Sequence, residues 1–200
     1  MKLKQNKDEV FYWGSILFKT SVKEEHLNKV KDLCHKNTKL DYSKFLVGDF
    51  DSQFQINHNK YDEIISDYLI KFKVAFYNYY GFDTPKFKIN DAWVNYMKDG
   101  DFNPEHMHPT FLSSVLFLQV PDDLKIEREK YKGNFKNGGA GCLTFTHPDN
   151  NDSPYIINER TFRPEEGDLF VFPGTLKHFV WPFKSKVERI SVAANWGICK

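Results

Sequence analysis

The feature that most constrains this chain is a change of hydrophobic period near residue 86. Before it, apolar residues recur at helical spacing. After it, they come in short runs bounded by turn residues. Phe87 to Met97 alternates in part, and further runs lie at 111–120, 141–146, 168–173, 178–183 and 188–196. Runs of that length, broken by turns such as Lys98-Asp99-Gly100-Asp101, read as strands. Aromatic residues make up 16% of the chain, with 19 Phe and 10 Tyr, and rings pack well on pleated faces. Many short strands after two helices predict an α+β chain, mainly β, whose C-terminal part is a two-sheet jelly roll.

Upstream, Ser21-Val22-Lys23-Glu24 reads as a capping box, and Leu27, Val30 and Leu33 predict a helix over about 22–36. A second helix is expected from Tyr61 to Tyr80, with Ile64, Ile65, Tyr68, Leu69, Phe72, Ala75, Phe76 and Tyr79 as its apolar stripe. Gly81 and Pro85 supply its stop. Phe11 to Phe18 reads as one short strand, 38–57 as irregular and 122–141 as an exposed inserted loop. Residues 1–200 are expected to form a single domain, with 1–86 a helical buttress carrying a short strand and 87–200 the jelly-roll core.

Composition excludes several classes of function. A net charge of +1 gives no global attraction to nucleic acid or membrane. The lysines from Lys2 to Lys7 read as a solvated terminus. The first eight residues lack the apolar centre of a signal peptide, and no apolar run approaches the ~20 residues that cross a bilayer. Cys34, Cys142 and Cys199 are odd in number and widely spaced, which predicts reduced thiols rather than a disulfide framework. A soluble, cytoplasmic protein is expected, and a homodimer is compatible with the sequence.

Chemistry enters with four positions. His106-Met107-His108 precedes the apolar run 111–118, and residues i and i+2 of an extended segment face one side. His178 follows the Pro173-Gly174 corner. Three imidazoles converging on one point would suit Fe, Zn, Cu or Ni, and they do not by themselves select the metal. Arg189 lies among Val187, Ile190 and Val192, and a buried arginine needs an anion, which its planar fork matches in a carboxylate. Ser191 shares its face. The turn Pro182 to Lys186 suggests that the strands holding His178 and Arg189 pair as neighbours. Asn95, on the same strand as Trp93, reads equally as a pocket hydrogen-bonder or as a solvent-side strand residue. His147 to Asp152 reads as a solvated turn.

The stretch Glu165 to Pro173, then His178, then Arg189-Ile190-Ser191-Val192-Ala193-Ala194-Asn195 resembles the iron(II)/2-oxoglutarate-dependent oxygenases. His106-Met107-His108-Pro109 with Ser113 to Leu118 resembles small members of that superfamily from bacteria and phages. The likeness covers roughly residues 87–197. It implies a double-stranded β-helix with Fe(II) held by His106 and the distal His178. It also implies 2-oxoglutarate as cosubstrate, its far carboxylate on Arg189 beside Ser191. The implied reaction consumes O2, hydroxylates a small molecule or peptide, and releases succinate and CO2. The family's usual carboxylate position is His108 here. Three readings follow: His108 is the third ligand, which the i, i+2 geometry favours; the position is left open to water or halide; or Glu105 or Asp149 completes the site. Two rival classes remain at this level: a non-catalytic jelly-roll metal-binding protein, and a cupin-type metalloenzyme without 2-oxoglutarate.

Overall fold

A computed structural model of the chain describes residues 9–36, 40–50, 52–130, 138–147 and 158–199. Two antiparallel sheets carry it. The larger has seven strands in the order β1 (Glu9–Trp13), β2 (Ser15–Ser21), β9 (Asp168–Pro173), β6 (Leu112–Gln119), β11 (Arg189–Ile198), β4 (Phe87–Met97) and β3 (Gln53–Gln55). The smaller has the order β5 (Asn103–His106), β10 (Lys177–Val180), β7 (Leu143–Thr146) and β8 (Glu159–Phe162). Neighbours in these sheets are mostly distant in sequence, as a jelly roll requires. The helices are α1 (Glu24–Lys36), α2 (His58–Tyr80) and α3 (Asp122–Glu129).

The period-2 pattern of the large sheet builds two separate cores. Val94, Leu116, Leu169, Val171, Val192 and Trp196 face α1 and α2, where they pack with Val30, Ile65 and Phe72. The alternate residues, Met97, Phe117, Phe170 and Phe172, face the small sheet and meet Leu143, Phe145 and Val180. A one-residue slip would exchange these faces, so burial on both sides fixes the register. The Trp196 indole also donates to Asp62 Oδ1 at 3.0 Å, which ties β11 to α2.

The predicted second helix is observed slightly longer than its apolar stripe. Asn57 caps its start by accepting from the Lys60 N–H at 3.1 Å. Gly81 ends it at φ 75°, donating to the Tyr77 carbonyl, in a left-handed conformation open to glycine. The capping box at Ser21 is not formed. Ser21 pairs with Asp168 as the last residue of β2, so the helix starts at Glu24. The Lys23 N–H is satisfied instead by the Tyr68 hydroxyl at 2.9 Å.

Other expectations need correction. The region read as one strand over 11–18 holds two, β1 and β2, paired around Gly14. The segment read as irregular contributes β3 and a short 3-10 turn at Ser43–Phe45. The exposed loop contains α3, with Leu124 and Arg128 buried; residues 131–137 lie outside the described set. The strands of His178 and Arg189 are not neighbours: β10 pairs with β5 and β7, while β11 pairs with β4 and β6. One face of β11 packs Val192, Ala194 and Trp196 under the helices and the other turns Arg189, Ser191 and Asn195 into the cavity, so both faces are covered and the strand is central in the large sheet. No described helix is long and apolar enough to cross a membrane.

Candidate metal centre

His106 ends β5 and lies opposite His178 of β10 in the register of the small sheet. His108 sits two residues beyond, past the strand end, where its N–H donates to the Gly174 carbonyl at 2.8 Å. The three rings converge. Their centroids are 4.3 Å apart for His106 and His178, 5.0 Å for His106 and His108, and 5.3 Å for His108 and His178. One nitrogen from each lies within 4.8 Å of the others.

Backbone carbonyls orient two of these rings. His106 Nδ1 is 2.7 Å from the Pro104 carbonyl, and His178 Nδ1 is 2.9 Å from the Leu176 carbonyl. A carbonyl only accepts, so Nδ1 carries the hydrogen in each and Nε2 keeps its lone pair for a metal. Burial pulls all three below the ordinary imidazole range. It acts alone as the lowering cause at His106. At His108, lowered to about 4, and at His178 the neighbouring rings add to it. Three neutral, converging imidazoles are the protonation state that ligation needs.

Across the cavity stands Arg189, 2% exposed. Its Nη1 donates to the Gly141 carbonyl at 3.1 Å and its guanidinium carbon lies 5.1 Å from the Phe117 ring centre. Burial, then the nearby Arg128, lowers its pKa to about 9, so it stays a cation at neutral pH. Its Nε has no hydrogen-bond partner, and no carboxylate pairs with it among the described residues. A buried cation without an anion is costly, and a carboxylate ligand fits it. Ser191 and Asn95 line the same cavity and are register partners on β11 and β4. Asn95 Oδ1 accepts from Gln53 Nε2 at 2.7 Å, which leaves the Asn95 NH2 group as a donor for the cavity.

The structure therefore brings together all six residues singled out from the sequence: His106, His108, His178, Arg189, Ser191 and Asn95. Glu105 does not join them. It lies on the exposed side, accepting from Thr146 Oγ1 at 2.6 Å and pairing with Lys177 at 3.4 Å. Asp149 lies outside the described residues. Sequence reading missed Gln53, Asn103, Ser113 and Asn195. Asn195 lies at i+4 from Ser191, on the same strand face, so the strand period contains it. Ser113 donates to Asn195 Oδ1 at 2.7 Å across the sheet, which no local pattern reveals. Gly174 was also missed as a site residue. A Cβ there would lie 2.4 Å from the Thr110 carbonyl oxygen and 2.9 Å from that of His108.

A jelly roll whose three histidines converge opposite a buried arginine offers a metal site and a carboxylate site in one cavity. The family described as "Putative 2OG-Fe(II) oxygenase" matches residues 91–195. The chain belongs to this family, is an enzyme of the 2-oxoglutarate/Fe(II)-dependent oxygenase class, and uses those two cofactors.

Solved structures share the fold at low identity. A 2OG-Fe(II) oxygenase family oxidoreductase from Burkholderia pseudomallei is 15% identical, with a TM-score of 0.56 over 90% of this chain and 84% of its own. A Pseudomonas putida prolyl-4-hydroxylase is 14% identical, with a TM-score of 0.57 over 92% and 93%. The viral collagen prolyl hydroxylase of Paramecium Bursaria Chlorella virus-1 is 16% identical, with a TM-score of 0.55 over 90% and 94%. No curated protein matches the sequence.

Proposed function

We propose that His106, His108 and His178 hold Fe(II), and that Arg189 with Ser191 takes the far carboxylate of 2-oxoglutarate. Asn95 adds a hydrogen bond to the cosubstrate. The reaction hydroxylates a C–H bond of a second substrate and releases succinate and CO2. The observation that carries this reading is the pairing of a convergent histidine triad with a buried arginine that has no carboxylate partner among the described residues. Bound iron supplies the redox chemistry that activates O2.

The chain's residues supply position and charge. The Pro104 and Leu176 carbonyls hold two ligand rings in one tautomer. The fork of Arg189, fixed through Gly141, fixes which end of the oxoacid lies deep in the cavity. Phe172, 4.9 Å from the His178 ring, and Trp93, 5.9 Å from His108, wall the centre with apolar surface and restrict water. Residues 1–200 work as one catalytic domain in this reading. Support comes from β1, β2 and β3, which lie in the first 86 residues yet complete the sheet that carries Arg189.

Anaerobic loading with Fe(II), followed by measurement of succinate from 2-oxoglutarate under O2, tests the reading. Arg189→Ala should keep the metal and weaken 2-oxoglutarate binding by at least thirtyfold, about 2 kcal/mol, because a buried charged contact is lost. Unchanged cosubstrate affinity in that variant would place the carboxylate elsewhere.

A further inference from the structure

Opposite charges stand at the two ends of the large sheet's inner face. They bear on the class of the second substrate, a step that rests on the iron and 2-oxoglutarate reading above. Along β11, Arg189, Ser191 and Asn195 line the cavity. Their register partners on β4 include Asn95 for Ser191 and Asp91 for Asn195. Residues directly opposite one another share a face of the sheet, so Asp91 stands on the cavity side beside Asn195. From Arg189 to Asn195 the strand runs roughly 20 Å. A five-carbon oxoacid is shorter than that, so a cosubstrate on Arg189 leaves the Asp91 end free.

Asp91 is half-buried, and no lysine or arginine pairs with it among the described residues. Asn195 lies between Ser113 and Asp91 in the sheet. Its Oδ1 accepts from Ser113 Oγ at 2.7 Å, which leaves its NH2 for the Asp91 side. Burial raises the Asp91 carboxyl above the ordinary carboxylate range, against the weaker pulls of Asn195 and His58. Oδ1 is closed to solvent and has no hydrogen-bond partner among the described residues. The charge is shared by both oxygens, so a cation against the exposed part of the residue feels it without reaching Oδ1.

Aromatic rings flank this carboxylate. The Tyr42 N–H donates to the Gln53 carbonyl at 2.8 Å, which lays Tyr42 along β3. Its ring is 5.8 Å from Trp93, whose ring is 5.9 Å from His108. Burial and the Asp91 charge both raise the Tyr42 hydroxyl, so carboxyl and ring are close. No lysine or arginine stands over the Tyr42 or Trp93 ring among the described residues; Lys44 lies over the outer Phe45 ring, at 5.2 Å. Ring faces beside a carboxylate attract an organic cation twice, through the ring quadrupole and through the full charge. A phosphate, sulfonate or carboxylate there would meet the Asp91 charge instead.

We infer that the second substrate carries an ammonium or guanidinium group, held by Asp91 and the rings of Tyr42 and Trp93, with its reacting C–H turned toward the histidines. Arg189 and Asp91 then divide the cavity by charge, the anionic cosubstrate at one end and the cationic substrate at the other.

The test uses the full chain loaded with redox-inert Zn(II) and 2-oxoglutarate, with dissociation constants read by ligand-observed NMR. A pH of about 8 favours the ionised carboxyl and keeps an alkylamine protonated. Three probes of similar size differ in charge: phenethylamine, 2-phenylethanol and 3-phenylpropionate. The amine should bind at least about tenfold more tightly than the alcohol, and the carboxylate most weakly. Asp91→Asn keeps the shape and removes the charge. It should bring the amine within about threefold of the alcohol and leave 2-oxoglutarate affinity unchanged, which also shows that the variant is folded. Tyr42→Leu leaves the carboxylate in place and should weaken the amine by about threefold or more. If Asp91→Asn does not fold, the wild-type ranking and Tyr42→Leu decide. The inference is overturned if the alcohol or the carboxylate binds as tightly as the amine, if neither folded variant weakens the amine, or if no probe binds while 2-oxoglutarate does. A wild type that takes up neither metal nor 2-oxoglutarate overturns the parent reading, and this inference with it.

Discussion

At the scale of the residue, burial of the histidine triad lowers its proton affinity and keeps the rings neutral. Burial, with His106 adding to it, depresses His108 to about 4 from an ordinary 6.5, and His178 and His106 move in the same direction. Below pH 6.5 the unfolded chain binds a proton at His108 that the folded chain refuses until about pH 4. The stability this group contributes is therefore complete above pH 6.5 and drains as pH falls through that window, with a slope of up to about 1.4 kcal/mol per pH unit per site. Urea denaturation of the metal-free protein at pH 7 and pH 5 should show the loss, and His108→Gln should flatten it. A wild-type midpoint that does not move with pH would contradict the burial of these rings. Gly174 acts at the same scale through space rather than backbone. A methyl there meets the Thr110 and His108 carbonyls at 2.4 and 2.9 Å, so the loop bearing His108 must shift. Gly174→Ala should cost about 1–3 kcal/mol and weaken Ni(II) binding by at least about tenfold in isothermal titration. Metal affinity equal to wild type would show that the loop yields freely.

At the scale of the element, the unexpected helix α3 has a clear task. Its Glu127 accepts from the Lys184 N–H at 3.0 Å, the Ser185 N–H at 2.9 Å and the Ser185 hydroxyl at 2.5 Å. It thereby pins the turn that leads into β11 and Arg189. Glu127→Ala leaves two buried or half-buried donors unmet. It should cost about 1–3 kcal/mol in denaturation and loosen 2-oxoglutarate binding severalfold, with Ni(II) affinity intact. An unchanged cosubstrate constant would show that β11 alone holds the arginine. The sequence hides this helix because Asp-Asp-Leu-Lys-Ile-Glu-Arg-Glu has little apolar face, and docking of Leu124 rather than periodicity stabilises it. Strand β5, Asn-Pro-Glu-His, is opaque for a similar reason: it is short, carries a proline and alternates nothing. The long strands are legible for two reasons: β6 and β9 pack both cores and read as near-continuous apolar runs, while β4 and β11 alternate apolar residues under the helices with residues that face the cavity. The convergence of His106, His108 and His178 is legible from resemblance and i, i+2 geometry together. Strand partnership is not, since the turn at 182–186 reads as a hairpin although its strands belong to opposite sheets.

At the scale of the whole molecule, the two halves of the site lie on different sheets. His106 and His178 belong to the four-stranded sheet, and Arg189, Ser191 and Asn95 to the seven-stranded one. In the proposed site a divalent ion alone would be held by the small sheet and the loop behind it, and an oxoacid spanning the metal and Arg189 would tie the sheets together. Ligand linkage makes this measurable, since a ligand specific to the folded state adds RT ln(1 + [L]/Kd), about 2.7 kcal/mol at a hundredfold excess over Kd. Thermal denaturation should rise in two steps, first with Ni(II) and again when 2-oxoglutarate is added. Without metal, 2-oxoglutarate should give a much smaller increment, because the arginine then holds one end only. Arg189→Ala should keep the metal step and lose the second, whereas His178→Ala should lose both. A full second step in Arg189→Ala, or a full 2-oxoglutarate step without metal, would mean that the two sheets are not joined through this cavity.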